Sequence, residues 1–186
     1  MTIRVFNIIV STLVGIVFLL PFIFVWILVR LTSPGPAIHW SKRIGKDNKV
    51  FLMPKFRTML IDTPQLATHL IDSKSWLTPV GSFLRKSSLD EIPQIWSVLK
   101  GDMNIVGPRP ALFNQYDLME LRNTKSVQTI PPGITGWAQI NGRDDLSIEE
   151  KVRYDSEYLR RRSLAFDLKI IFLTVLKVLQ REGIKH

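Results

Sequence analysis

The dominant pattern of the chain is an uncharged apolar run over residues 5–29, which Arg4 precedes and Arg30 follows. As one helix, this run would reach about 37 Å, more than the roughly 30 Å hydrocarbon core of a bilayer. No small-residue cleavage site follows it, so a membrane anchor fits better than a secretory signal. We therefore expect residues 1–33 to form a membrane anchor.

Pro21 interrupts the apolar run. Its ring cannot donate to the carbonyl of Val17, so we expect the helix to kink or break near Leu20 and Pro21. Six basic residues between positions 42 and 57 place the C-terminal side in the cytoplasm. One kinked spanning helix and a re-entrant helix-break-helix both satisfy these observations, and the residues leave the two geometries open.

After the anchor, residues 37–44 and 50–59 flank a polar turn, a pattern that predicts a β-hairpin. Pro54 within the second segment indicates an edge or a bulge. Residues 103–106 are a short apolar stretch that predicts another strand. Residues 63–75 are polar and weakly patterned, as in a loop or a short helix.

Helical patterns occupy most of the remaining chain, and Ser147 and Glu150 have the spacing of a capping box. The apolar tail 164–179 carries three charges, so it predicts either a core helix or one lying in a membrane interface. The fold class is thus α+β and helix-rich, with one compact cytosolic domain over residues 34–186. The predicted helices cover residues 81–86, 92–100, 111–123, 147–162 and 164–179.

The composition is strongly basic. The chain has 25 Lys and Arg but only 16 Asp and Glu, which gives a net charge of +9. Such a surplus indicates an anionic partner: nucleic acid, an acidic lipid surface or phosphorylated substrates. Cysteine is absent, which excludes disulfides, thiolate catalysis and zinc–thiolate sites. The three histidines lack metal-ligand spacing.

Asp90 and Glu91 are the first candidates for chemistry. Ser88 has capping-box spacing to Glu91, but Pro93 fits better in a helix that Asp90 caps, where its missing N–H costs little. A helix start beside two carboxylates can also hold a divalent ion and a phosphate together. Neighbours on a helix point about 100° apart, so the two acids would play different parts.

Arginines provide a second candidate feature, because their guanidinium groups match phosphate oxygens. Arg109 lies in a stiff loop between Pro108 and Pro110. Taken singly, each cation is better explained as a solvated surface charge unless other residues gather them. The same two interpretations apply to Arg85, Lys55 and Arg57.

Residues 133–143 combine three glycines with Trp137, Gln139, Asn141 and Arg143. Glycines allow the backbone to approach a ligand closely, and the amides and Arg143 can bind hydroxyls, a base or phosphate. The segment matches neither a Walker A loop nor a dinucleotide-binding fingerprint.

Together, these segments resemble the small monotopic phosphoglycosyl transferases, the bacterial sugar-transferase family. The resemblance holds in order and spacing over essentially the whole chain, which is more specific than any one motif. The matching stretches are residues 55–59 (KFRTM), 88–94 (SLDEIPQ), 98–103 (VLKGDM), 106–110 (VGPRP) and 132–143.

The resemblance implies a two-step reaction, in which Asp90 attacks the β-phosphate of a UDP-sugar and expels UMP. Polyprenyl (undecaprenyl) phosphate would then take the phosphosugar from Asp90. It also implies Mg²⁺ on Asp90 and Glu91, with Glu91 as metal ligand or base, and phosphates held by Arg85 and Arg109. The other substrate- or phosphate-binding residues that it implies are Lys55, Arg57, Gln139, Arg143 and Asp155.

The resemblance further implies a re-entrant anchor at the cytoplasmic face of the bacterial inner membrane, with membrane lipids but no nucleic acid as partners. Family anchors usually break at a Ser-Pro pair, whereas this chain has Leu20-Pro21, and Asn7 stands where aspartate is usual. The alternative function is a membrane-tethered basic module that binds anionic lipid or nucleic acid without catalysis. The UDP-sugar, the glycan pathway and the oligomeric state, a homodimer included, stay open.

Overall fold

The computed structural model describes residues 2–63, 76–142 and 145–180. Its first two helices, α1 (Thr2–Val17) and α2 (Leu19–Thr32), meet at an angle of 61°. Among the described residues, no single helix is long and apolar enough to cross a membrane. This bent pair meets that requirement only jointly, by length and composition.

Phe18 joins the two helices at the bend. Its N–H donates to the Val14 carbonyl at 2.9 Å, and its own carbonyl accepts from Phe22 at 2.8 Å. Pro21 lies in the first turn of α2, where a helix needs no N–H donor. The predicted break is therefore confirmed, and it falls directly after Val17, whose carbonyl Pro21 cannot serve. Backbone hydrogen bonds therefore continue on both sides of Phe18, although the helix axis bends there.

Two small sheets follow the anchor. The predicted hairpin is confirmed as β1 (Ile38–Ile44) paired antiparallel with β2 (Val50–Phe56), with Trp40 opposite Pro54. Further along, β3 (Asn104–Val106) pairs in parallel with β4 (Gly133–Thr135). The helix-rich α+β prediction is thus confirmed, and both sheets have only two strands.

The helices that follow the hairpin largely match the predicted ranges, and both bonds of the Ser147–Glu150 capping box form. A 3₁₀ helix over Leu89–Gln94 runs directly into α4, so the helical prediction for residues 92–100 covers two kinds of helix. The α-helices after the hairpin are α3 (Gly81–Lys86), α4 (Ile95–Lys100), α5 (Tyr116–Thr124), α6 (Trp137–Ile140), α7 (Ile148–Arg161) and α8 (Leu164–Gln180).

The predicted helix over residues 111–123 is wrong at its start, because α5 begins only at Tyr116. The residues before α5 pair with β1 instead. Ile44 donates to the Ala111 carbonyl at 3.0 Å, and Leu112 forms a β-bridge with Arg43. These backbone bonds to a distant strand compete with a helical turn there. The prediction for residues 63–75 concerns mostly positions outside the described residues.

The tail helix α8 is a core helix on one face, as one of the two predictions had it, and a position in a membrane interface stays a prediction. One face buries Phe166 and Ile170 in a core with Tyr158. The opposite face exposes apolar side chains, including Phe172 and Val175. The helix therefore closes the core while presenting an apolar surface outward.

The bent helix pair packs against the rest of the described chain at several points. Val25 and Val29 of α2 are fully buried in a cluster with Phe56 and Leu84. On α1, the Asn7 amide donates to the Asn104 side chain at 2.8 Å. These contacts fix α1 against β3, and α2 against β2 and α3.

Candidate active site

Asp90 lies at the start of the 3₁₀ helix Leu89–Gln94, and its side chain is buried, with only 7% of the residue exposed. Our assignment of Asp90 as a helix cap is wrong. The turn begins at Ser88, which has a left-handed backbone (φ 56°) and accepts the Glu91 N–H on its carbonyl. A 3₁₀ turn of this kind accommodates Pro93 two residues beyond the acidic pair.

Three of the predicted cations converge on the acidic pair. Lys55 extends from β2, with its Nζ 2.7 Å from Glu91 Oε1 and 4.0 Å from Asp90 Oδ2. Arg109 Nη2 lies 3.8 Å from the same Glu91 oxygen. Arg85 donates from Nε to Thr58 at 3.0 Å, and its charge acts on Asp90. The hairpin, α3 and the Pro-Arg-Pro loop thus contribute to one site.

Burial is the largest influence on the pKa of Asp90. Loss of water raises the pKa of the Asp90 carboxyl above its ordinary value, Lys55 and Arg85 lower it, and the Glu91 charge raises it. Burial likewise lowers the pKa of Arg85, with Asp90 acting against this. A poorly hydrated carboxylate beside several cations is a reactive group in a site suited to phosphate.

Arg43 is a member of this site that our sequence reasoning missed. Its Nη1 donates to the Pro110 carbonyl at 3.2 Å, and burial together with the nearby Arg109 charge lowers the pKa of Arg43 to about 10. Strand alternation was the available signal. In the hairpin register His39 faces Lys55, and Arg43 lies four residues from His39, on the same face.

Arg57 has a different environment from the other predicted cations. It is buried, and its Nε donates to the Pro36 carbonyl at 2.7 Å, while Nη2 donates to both oxygens of Ser33 at 3.0 Å. These bonds tie the end of β2 to the end of α2. The structure therefore places Arg57 at the junction of anchor and domain.

Asp155 is linked to the site by Arg122, which binds both Asp155 and the loop of Arg109. Its Oδ2 accepts from Arg122 Nε at 3.0 Å and from Nη2 at 2.7 Å, and both side chains are largely buried. Arg122 Nη1 in turn donates to the Arg109 carbonyl at 3.0 Å. Asp155 thus orients the residue that supports the loop of Arg109.

Gln139 is bound to its own segment, since its Nε2 donates to the Ile134 carbonyl at 2.9 Å. Its Oε1 is buried and has no hydrogen-bond partner in the part of the chain that the structure describes. Arg143, predicted as a further phosphate ligand, lies outside the described residues.

The glycines of residues 133–136 allow close approach of the chain to itself. Gly133 donates to the Pro108 carbonyl at 2.9 Å, and Gly107 donates to the Thr135 carbonyl at 2.9 Å. A Cβ on Gly136 would come within 2.1 Å of the Gly107 carbonyl oxygen. The segment therefore serves as a backbone support for the loop that carries Arg109.

The donor set for a metal consists of the two adjacent carboxylates. No group of three or more His, Asp or Glu side chains with metal-binding geometry occurs among the described residues. Mg²⁺ in phosphate-handling sites commonly takes one or two protein carboxylates and completes its shell with phosphate oxygens and water. Asp90 and Glu91 fit an ion of that type.

Comparison with known proteins identifies relatives that cover most of the chain. An Escherichia coli (strain K12) protein, UDP-glucose:undecaprenyl-phosphate glucose-1-phosphate transferase, is 43% identical over 157 aligned residues, which cover 80% of this chain. The sugar transferase EpsL of Bacillus subtilis (strain 168), described as uncharacterized, is 43% identical over 158 residues and 85% of this chain. Undecaprenyl-phosphate galactose phosphotransferase of Salmonella typhimurium is 35% identical over 196 residues and 97% of this chain.

The matched part differs between these relatives. It spans 34% of the Escherichia coli protein and 41% of the Salmonella protein, but 77% of EpsL. The sequence model of the family described as bacterial sugar transferase matches residues 1–181. Because that match covers nearly the whole chain, the protein belongs to the bacterial sugar transferase family.

Proposed function

We propose that the protein transfers a sugar 1-phosphate from a UDP-sugar to undecaprenyl phosphate, giving undecaprenyl diphosphate-sugar and UMP. The observation that carries this proposal is the buried Asp90 carboxylate beside Lys55 and Arg85, with Arg109 on the neighbouring Glu91. The names of the Escherichia coli and Salmonella relatives support the same chemistry.

In the first step, an Asp90 carboxylate oxygen attacks the β-phosphorus of the UDP-sugar. The bond from that phosphorus to the bridging oxygen breaks, UMP leaves, and a phosphosugar–aspartyl intermediate, an acyl phosphate, remains. In the second step, an undecaprenyl phosphate oxygen attacks the same phosphorus and releases the Asp90 carboxylate. Covalent catalysis of this kind divides one difficult displacement into two easier ones.

The cations serve both steps. Lys55 and Arg85 favour the ionised form of Asp90 against the effect of burial, which keeps the nucleophile available. They and Arg109 also balance the negative charge of the diphosphate. Glu91, 2.7 Å from Lys55 and 3.8 Å from Arg109, holds these two cations beside the nucleophile. Fixed charges of this kind stabilise developing negative charge without reorganisation.

We include Mg²⁺ in this proposal, bound by Asp90 and Glu91 together with phosphate oxygens. The ion would supply further charge neutralisation on the diphosphate. The donor chemistry of the adjacent carboxylates supports this assignment.

Measurement of UMP release tests the activity. The full chain in neutral detergent is given a panel of UDP-sugars, undecaprenyl phosphate and Mg²⁺, and we expect UMP from at least one donor. Asp90→Asn should release no UMP above background, whereas Glu120→Gln, a change at an exposed acid of α5, should match the parent. Equal rates for Asp90→Asn and the parent would exclude Asp90 as nucleophile. UDP in place of UMP would show transfer of the sugar without its phosphate.

A re-entrant anchor at the cytoplasmic face is the second part of the proposal. Both helices of the bent pair contact the same domain: Arg4 of α1 donates to the Val98 and Leu99 carbonyls, and Phe22 of α2 lies 5.0 Å from Phe56 between ring centroids. A straight spanning helix would carry one end of the anchor to the opposite face of the membrane, away from these partners. The 61° bend supports the re-entrant geometry.

Cysteine labelling tests the anchor, because the chain contains no cysteine of its own. Thr2→Cys in intact cells should resist an impermeant maleimide and react after the cells are opened. A cysteine added to a known periplasmic protein serves as the positive control. Strong labelling of Thr2→Cys in intact cells would show that the N-terminus faces the periplasm.

A further inference from the structure

A cavity of about 510 Å³ lies at the N-terminal end of α1. Its lining combines Thr2 and Arg4 of α1 with Lys46 of the hairpin turn, Asn104 of β3 and Arg162, which joins α7 to α8. None of the residues of the Asp90 site lines it. The cavity is therefore a second, separate concavity of the same domain.

Every titratable side chain that lines this cavity is positively charged. Arg4, Lys46 and Arg162 contribute cations, and no carboxylate belongs to the lining. Among the described residues, none of these three cations forms a salt bridge. Two acids lie outside the lining: Asp102 pairs with Lys100 at 3.0 Å, and Asp167 accepts from the Tyr158 hydroxyl at 2.7 Å and also interacts with Arg162.

Two details indicate that the cations are held in place for a ligand. Arg4 is fixed by hydrogen bonds to the carbonyls of Val98 and Leu99 at the end of α4. Arg162 is held by interactions of its side chain with Tyr158 and Asp167, while its buried Nε has no hydrogen-bond partner in the described part of the chain. Three cations that line one cavity without a carboxylate favour an anionic ligand, which supplies acceptor oxygens.

The position of the cavity along α1 indicates which kind of anion would bind there. Exposed apolar side chains of α1 begin at Val5, directly after Arg4, and continue to Val17. In the proposed anchor, the cavity therefore lies at the boundary between hydrocarbon and headgroups, where the phosphates of phospholipids are concentrated.

We propose that this cavity binds the headgroup phosphate of an anionic phospholipid, with Arg4, Lys46 and Arg162 as its cationic partners. Thr2 and Asn104 offer polar groups to the rest of the headgroup. The lipid would hold α1 against the hairpin turn and the α7–α8 junction. This inference rests on the proposed anchor but is independent of the transfer reaction, because the ligand and the residues differ.

The test measures lipid retention by native mass spectrometry of the full chain in neutral detergent. We titrate with short-chain phosphatidylglycerol or phosphatidylcholine, and expect the parent to retain phosphatidylglycerol preferentially. Lys46→Gln and Arg162→Gln should each weaken its binding about fivefold, as expected for the loss of one cation near a phosphate. Lys49→Gln is the matched control, because it is an exposed lysine of the same turn outside the cavity.

Lys46→Gln carries the test, because its exposed side chain is not needed to fill the core. Equal phosphatidylglycerol binding by Lys46→Gln and the parent, or equal retention of both lipids by the parent, would overturn the proposal. Displacement of the lipid by equimolar glycerol 3-phosphate would assign the cavity to soluble phosphates and overturn the lipid source. UMP release should be the same for Lys46→Gln and Lys49→Gln, so failure of this proposal and failure of the transferase proposal are distinguishable.

Discussion

The buried pair of Asp155 and Arg122 offers the sharpest test of how the site is supported. Asp155 is only 2% exposed at its side chain and Arg122 12%, and two hydrogen bonds of 2.7 and 3.0 Å join them. Asp155→Ala would leave the Arg122 guanidinium buried without its counter-charge.

Removing one partner of a buried ion pair costs about 3–5 kcal/mol of unfolding free energy. The residual exposure of Arg122 lets water reach it in part, so we expect the lower end, about 3 kcal/mol. For a chain of this size, that corresponds to a fall in Tm of about 6–12 °C. Arg122→Met should cost less, because burial already raises the pKa of Asp155 and its carboxyl can take up a proton.

Thermal unfolding followed by tryptophan fluorescence in neutral detergent measures these changes. The double variant Arg122→Met, Asp155→Leu should recover most of the lost stability, since apolar side chains can replace a buried ion pair. Its UMP release should nevertheless stay low, because the Arg109 carbonyl has lost the Arg122 donor. An Asp155→Ala protein within about 1 kcal/mol of the parent, or full activity in the double variant, would refute this reasoning.

Three further predictions follow from the site and its scaffold. Lys55 lowers the pKa of Asp90, so Lys55→Met should move the acidic limb of the UMP-release pH profile to higher pH; an unmoved limb with a smaller amplitude would contradict this. Burial raises the pKa of Asp90, so its ionisation costs stability once the pH exceeds the unfolded pKa. The Tm of Asp90→Asn should therefore be at least that of the parent at pH 7, with the difference closing toward pH 4. Gly136→Ala should lower Tm by several degrees through its 2.1 Å clash with Gly107, whereas Gly15→Ala, whose Cβ would lie 3.9 Å from its nearest neighbour, should not.

Local chemistry explains which elements of the fold could be predicted from the sequence. Pro21 excludes one specific hydrogen bond, and α1 ends at Val17, the residue whose carbonyl loses that donor. Ser147 and Glu150 satisfy each other's backbone within one turn, so their pairing depends on nothing else in the molecule. The matching segments also identified the residues that meet at Asp90.

Long-range contacts account for what the sequence did not reveal. The start of α5 depends on a bond between Ile44 and Ala111, which no local pattern contains. Arg57 and Arg85 are equally suited to phosphate by residue type, but three backbone and hydroxyl acceptors at the end of α2 bind Arg57. Arg43 joins the site only because strand pairing places it near Arg109.

The hydrogen bond between Asn7 and Asn104 also has a consequence for biogenesis. Its partners are 97 positions apart, so at about 5–20 residues per second the ribosome needs roughly 5–20 s to make the second after the first. In the proposed anchor, Asn7 would therefore reach the edge of the bilayer before Asn104 has been synthesised. Its side-chain amide would lack this hydrogen-bond acceptor until β3 has formed. Nascent chains stalled before residue 104 should accordingly hold their anchor more loosely, and the final docking of α1 should be a post-insertion event.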